Sequence, residues 1–269
     1  MMMTTFSRFQ RAGVVFLLSF QAQIALADNH GGIPVLNYHR FGPVVADSMT
    51  VTTSLFEAQL KWLQDNGYSV IPLSTLVDYL HGKHPPPPEK SVVITVDDGH
   101  RSVYDQMLPI VRRHQIPITL FIYPSAISNA SYALTWSQLA ELQQTGLFDI
   151  QSHTLWSPNF KRERKKLPPE TYRKFVTEQL EKSKAMLERK LQKTVDILAW
   201  PFGIYDDYLA QAAKEAGYVA AFSIDRRHAD ESENLMSQPR YLMLNKDGTT
   251  GFAAIIEGRA AAKKTGKTR

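Results

Sequence analysis

Ser91-Val-Val-Ile-Thr-Val-Asp97-Asp98-Gly99-His100 is an apolar run that ends on two adjacent carboxylates and a glycine. Its β-branched residues, with no polar alternation, predict a strand buried on both faces, the habit of parallel sheets. Neighbouring strand residues point to opposite faces, so two acids in mid-strand would bury an unpaired charge. At the carboxyl end, where the chain leaves the sheet, both acids can turn into a cleft. There one can hold a cation while the other handles a proton. Taken alone, Asp97-Asp98-Gly99 is equally compatible with a solvated turn and a helix cap.

Working outward, other strands are predicted to end on chemically loaded residues. Ile33-Pro-Val-Leu-Asn-Tyr38 leads to His39, Leu147-Phe-Asp-Ile-Gln-Ser152 leads to His153, and Val195-Asp-Ile-Leu-Ala-Trp200 leads to Pro201-Phe202-Gly203. Between them the pattern predicts helices. Ser54-Leu-Phe-Glu57 reads as a capping box opening a helix through Gln64, with Gly67 ending it. A second box stands at Thr135-Trp-Ser-Gln138, Pro109 marks a kink, Pro168 to Leu191 is a long charged helix, and Asp206 or Asp207 caps another. Seven or eight strands alternating with helices argue an α/β fold of one domain with a parallel sheet. A (β/α) barrel suits that count better than an open sheet, although the alternation itself fits both. In such barrels the rim at the carboxyl ends of the strands holds the active site.

Composition bounds the setting. The 269 residues are 43% hydrophobic, enough for one large domain. Residues 1–27 read as a cleaved signal peptide: Arg8 and Arg11, then Gly13-Val-Val-Phe-Leu-Leu-Ser-Phe20, then Ala25-Leu26-Ala27. That apolar run is too short to span a bilayer stably, so no transmembrane segment is expected after cleavage. The chain has no cysteine, which excludes a disulfide framework and a lipid anchor on Cys. The expected address is the periplasm or the exterior, with a domain over 28–259 and a disordered basic tail over 260–269. The formal net charge is +5, of which Arg8 and Arg11 supply two. Much of the rest lies in Lys161-Arg-Glu-Arg-Lys-Lys166 and the tail, which read as solvated surface able to touch anionic envelope polymers rather than nucleic acid.

A carboxylate and a histidine from different strands are natural ligands for zinc or a similar divalent ion. Three segments carry a resemblance. Thr95-Val-Asp97-Asp98-Gly99, Gln151-Ser-His153-Thr-Leu-Trp-Ser157-Pro-Asn159 and Trp200-Pro201-Phe202-Gly203-Ile-Tyr205 resemble the first three motifs of the polysaccharide deacetylases, the fourth carbohydrate esterase family. The opening Val35-Leu-Asn-Tyr38-His39 is similar to the branch acting on poly-N-acetylglucosamine. The resemblance covers roughly Ile33 to Glu257. It implies hydrolysis of N-acetyl groups on an amino-sugar polysaccharide, with release of acetate and a divalent metal, Zn2+ by preference.

Carried over, it makes Asp97 the general base, Asp98 and His153 metal ligands, and the Phe202 backbone N–H an oxyanion donor. His39, Trp156, Trp200 and Tyr205 become candidate substrate contacts. The chain departs from the family in three places. Ser157 and Pro158 stand where a second metal histidine belongs, with Asn159, His39, His100 or water left to complete the set. Leu198-Ala199-Trp200 lacks the arginine that orients the base, and the late L-x-H motif is missing, with Asp225 either a trace of its acidic partner or an ordinary turn residue. A weak or inactive relative that only binds polysaccharide, and an O-acetyl esterase on the same scaffold, are the alternatives. A glycosidase is disfavoured, because adjacent carboxylates cannot flank one glycosidic bond.

Overall fold

A computed structural model describes residues 32–259; the expected signal peptide and basic tail lie outside the described residues. β1 (Val35–Tyr38) is followed by two short paired strands, β2 (Arg40–Gly42) and β3 (Thr50–Thr52). Helix α1 (Thr53–Asp65) is capped by Thr52, whose Oγ1 accepts the Leu55 N–H, and not by Ser54. The reason is conformational: Thr52 keeps the extended backbone of a strand end that an N-cap needs, whereas Ser54 is already helical. Next come β4 (Ser69–Val70), α2 (Leu73–Leu80) and β5 (Ser91–Asp97), the last buried along its whole length. A π-helical turn at Val103–Met107 runs into α3 (Leu108–His114). Pro109 therefore sits at the junction where the π-helical turn passes into the α-helix, the irregularity expected of a proline within a helix.

β6 (Ile118–Ile122) precedes α4 (Trp136–Gln144), which opens on the Thr135/Gln138 capping box as expected. β7 (Phe148–Ser152) is followed by α5 (Phe160–Lys166), a helix the sequence pattern hid within its charged run. α6 (Pro169–Leu191), β8 (Ile197–Ala199), α7 (Asp207–Glu215, capped by Asp206), β9 (Ala220–Phe222), β10 (Tyr241–Leu242) and α8 (Gly248–Ile256) complete the described chain.

The strands lie in the order β10-β1-β5-β6-β7-β8-β9, all parallel, with β4 beside β5. β9 and β10 do not pair. Instead Gln238 spans between them: its N–H donates to Ala221 O at 2.9 Å, and its carbonyl accepts the Ser223 N–H at 2.8 Å. The sheet is thus a distorted (β/α) barrel with seven principal strands. One face of β5 (Val92, Ile94, Val96) packs in the larger apolar cluster under the helices. Val93 faces the other way, with Val35, Phe121, Ile197 and Phe222 and with Leu73 and Leu76 of α2. Strand parity puts Thr95 and Asp97 on that second face.

Candidate active site

Asp97 is the last residue of β5 and is almost wholly buried. A carboxylate there demands partners, and it has two. Arg240, just before β10, grips it through both guanidinium nitrogens at 2.8 Å, while Asn37 of β1 donates to Oδ2 at 2.9 Å. Arg240 also donates to Thr95 Oγ1 at 3.1 Å and is itself fully buried. Burial alone would raise the Asp97 pKa, but Arg240, with His153 and His39 adding to it, holds the carboxyl down at about 2. Two oxygens offer about four lone-pair directions, so three donated bonds leave room for a water proton.

Asp98 follows with φ +75° and Gly99 with φ +72°. This left-handed pair turns the chain out of the sheet and swings the second carboxylate into the cleft. His153 follows β7 directly. Its Nδ1 donates to Ala199 O at 2.8 Å across the sheet, which fixes the tautomer and leaves Nε2 with its lone pair toward Asp98 Oδ1, 3.7 Å away. His39, following β1 and half-buried, lines the same cavity, and its enclosed Nδ1 has no hydrogen-bond partner. Burial pushes its pKa down, and the Asp97 and Asp98 carboxylates pull the other way without restoring it.

These groups share a cavity of about 430 Å³, also walled by Trp156, Ser157 and Phe202. Its rim is aromatic. Phe202 is 62% exposed and Trp156 and Tyr132 42% each, and these three make up most of the large exposed hydrophobics among the described residues. Phe202 holds φ +57°, an outlier for an aromatic residue. The Gly203 and Ile204 N–H groups are spent on the Trp200 and Pro201 carbonyls, which leaves the Phe202 N–H outside the turn's own bonds.

Two expected substrate contacts sit differently. Trp200 lines the inner wall of the cavity but is fully buried and donates its indole N–H to Met236 O at 2.8 Å, so it packs the wall rather than presenting an open ring. Tyr205 lies outside the cavity wall and donates its hydroxyl to Asp225 at 3.0 Å, which makes it a brace for the buried Asp225. Of the candidates for a third ligand, Asn159 is committed as the α5 N-cap and His100 bonds Ser102 and stacks on Tyr132. His39 and Ser157 do line the cavity.

Arg240 and Asn37 were missed as site residues, yet each left a trace. A charge in Arg240-Tyr-Leu-Met-Leu and an amide within Val35-Leu-Asn-Tyr are buried polar groups that require partners. The orienting arginine absent from the third motif is thus supplied from another part of the chain. No group of three or more His, Cys, Asp or Glu that could hold a metal ion occurs among the described residues. Asp98 and His153 supply two donors that suit such an ion: a carboxylate beside an imidazole whose other nitrogen donates to a backbone carbonyl, as in metal-ligating histidines.

Residues 84–221 match the family described as polysaccharide deacetylase. The poly-beta-1,6-N-acetyl-D-glucosamine N-deacetylase of Staphylococcus epidermidis is 26% identical over 229 residues, covering 78% of this chain and 78% of its own. The Escherichia coli K12 protein of the same name is 26% identical over 263 residues, 84% of this chain but 39% of its own length. Among solved structures, the Streptococcus pyogenes deacetylase PplD gives a TM-score of 0.74 at 23% identity, covering 84% of this chain and 98% of that one. IcaB from Ammonifex degensii gives 0.72 at 24% identity, covering 86% and 98%.

Proposed function

Since the chain belongs to the polysaccharide deacetylase family of hydrolases, we propose that it removes N-acetyl groups from an amino-sugar polysaccharide and releases acetate. The names of its relatives favour poly-β-1,6-linked N-acetylglucosamine as the substrate. The observation that carries the reading is the convergence of Asp97, Asp98 and His153 from two strand ends on one cavity. The amino-terminal signal pattern supports export, which would bring the protein to an envelope or biofilm glycan.

Asp98 and His153 would hold a divalent ion, zinc being the natural choice for a carboxylate and an imidazole. When bound, it would polarise the acetyl carbonyl and make water more acidic. Asp97, ionised at any working pH, takes the proton of the attacking water. Arg240 and Asn37 keep its carboxylate aimed while that proton arrives. The Phe202 N–H, outside the turn's own bonds, is the backbone donor available to the oxyanion that develops on the former carbonyl oxygen. As the C–N bond breaks, the departing amine needs a proton, and the one Asp97 took from the water is available to supply it. Trp156, Phe202 and Tyr132 offer apolar faces against which sugar rings can lie.

The test is acetate release from N-acetylated and O-acetylated polymers by the zinc-loaded protein. Amide substrate is expected to be turned over, and Asp97→Asn to lower kcat by roughly 10²–10⁴-fold, the usual worth of a general base. Acetate from the ester alone, or unchanged turnover in Asp97→Asn, would overturn the reading.

A further inference from the structure

A second cavity of about 460 Å³ lies between α5, α6 and α7, and the hydrolysis derived above does not use it. The same two chain segments wall both spaces. Trp156 and Ser157 belong to the catalytic cavity, and their segment continues into α5, whose Lys161 and Lys165 line the second. Opposite them, Gly203 lines the catalytic cavity and Ile204 the second. Consecutive Cα atoms stand ~3.8 Å apart, so along this wall the cavities adjoin. A chain leaving the catalytic cavity over its exposed Trp156–Phe202 rim would have the second cavity within reach.

Its chemistry suits a sugar chain. Tyr208 is half-buried, its ring 6.1 Å from that of the buried Tyr172, and the Arg164 guanidinium lies over Tyr172 at 5.9 Å while pairing with Asp206 at 2.6 Å. Arg164 is thereby neutralised. Lys161 and Lys165 have no ion-pair partner among the described residues, and Asp207 is the carboxylate left to oppose them. The groove therefore carries a cationic wall beside the part-exposed ring of Tyr208.

We propose that this groove is a distal subsite for the polysaccharide chain, that it takes uncharged N-acetylated sugars, and that Lys161 and Lys165 turn away stretches already converted to glucosaminium. The inference rests on the N-deacetylase reading, since hydrolysis of the amide is what turns a neutral sugar into a cation. Two like charges ~8 Å apart in water repel enough to shift binding about twofold, more where the groove excludes solvent. The enzyme would then work forward onto acetylated chain and release its own product. Salt should blunt the preference, because the Debye length at 0.15 M is about 8 Å.

The experiment compares KM for β-1,6-linked N-acetylglucosamine pentamers, fully acetylated or carrying one glucosamine at either end. Wild type is expected to favour the acetylated pentamer about threefold over the isomer whose amine reaches the groove, less at high salt. Lys161→Glu/Lys165→Glu is expected to reverse that order, leaving kcat on a dimer too short to reach the groove unchanged. Tyr208→Ala is expected to raise KM for the pentamer and not for the dimer. An unaltered ratio in a folded double variant with normal dimer turnover overturns the proposal. If no oligomer releases acetate, the N-deacetylase reading falls separately. Calorimetric binding of acetylated against deacetylated pentamer to wild type and double variant then still decides the groove: the same reversal supports it and equal binding refutes it.

Discussion

At the scale of single residues, Arg240 and Asp97 have to be treated together. Each is almost fully buried, and either alone would be an uncompensated charge. Arg240→Met is therefore expected to destabilise the protein by about 3–5 kcal/mol, measured by urea unfolding. Arg240→Lys keeps the charge and loses the two-pronged grip, so it should cost less stability yet still lower kcat by misaiming the base. Ser157 poses the opposite problem, that of a missing donor. It holds φ +58°, a conformation in which histidine is several-fold enriched over most residues, so Ser157→His is sterically compatible with the turn. Retention of zinc against a competing chelator is expected to rise at least tenfold, about 1.4 kcal/mol. Unchanged retention would mean that Ser157 does not face the Asp98–His153 pair. The sequence made Asp97, Asp98 and His153 legible because each terminates an apolar run. Arg240 was illegible because its role depends on which strand lies beside β1, and pairing order is not written in any local pattern.

At the scale of elements, the turns after β5 and β8 do the positioning, and they differ in how firmly they are held. Gly203 has φ +65°, and a Cβ there would stand 2.4 Å from Ile224 Cγ1 and 3.0 Å from the Ile224 backbone N. Gly99 has φ +72°, but its Cβ would meet only the terminal methyls of Ile122 and Ile127, at 2.8 and 3.2 Å. Both alanine variants pay for the left-handed backbone, roughly 1 kcal/mol or more. Gly203→Ala is expected to cost 1–3 kcal/mol beyond that, about the range for overpacking, and to displace the Phe202 N–H. Thermal unfolding with acetate-release assays on the two variants checks the ranking: Gly203→Ala should lose more stability and more kcat. The strand ends and the Thr135 capping box were readable from sequence because their signals are local. The short β2 and β3 strands and the α5 helix were not. Three-residue strands show no period, and a run of Lys and Arg shows no apolar stripe beyond Phe160.

At the scale of the whole molecule, the site exists because a parallel sheet brings every strand's carboxyl end to one rim. β1, β5 and β7 deliver Asn37 and His39, Asp97 and Asp98, and His153 to one place, although the sequence separates them widely. The alternation of strands and helices foretold that gathering; the unpaired join between β9 and β10, spanned by Gln238, lay beyond it. Gathering charges in the interior ties stability to pH. Asp97 has an ordinary value of 3.8 and is held at about 2 in the folded chain, so below pH ~4 the unfolded chain binds the proton more readily than the folded one. The contribution is fully present above the unfolded value and disappears as pH falls through the folded one. Its size is on the order of 2 kcal/mol, lost between about pH 4 and pH 2. Unfolding free energies of wild type and Asp97→Asn, measured from pH 6 to pH 2, should therefore converge across that window, with the wild-type curve the steeper. Parallel curves would mean that the Arg240 clamp does not depress the Asp97 carboxyl and that the base is held less tightly than the geometry requires.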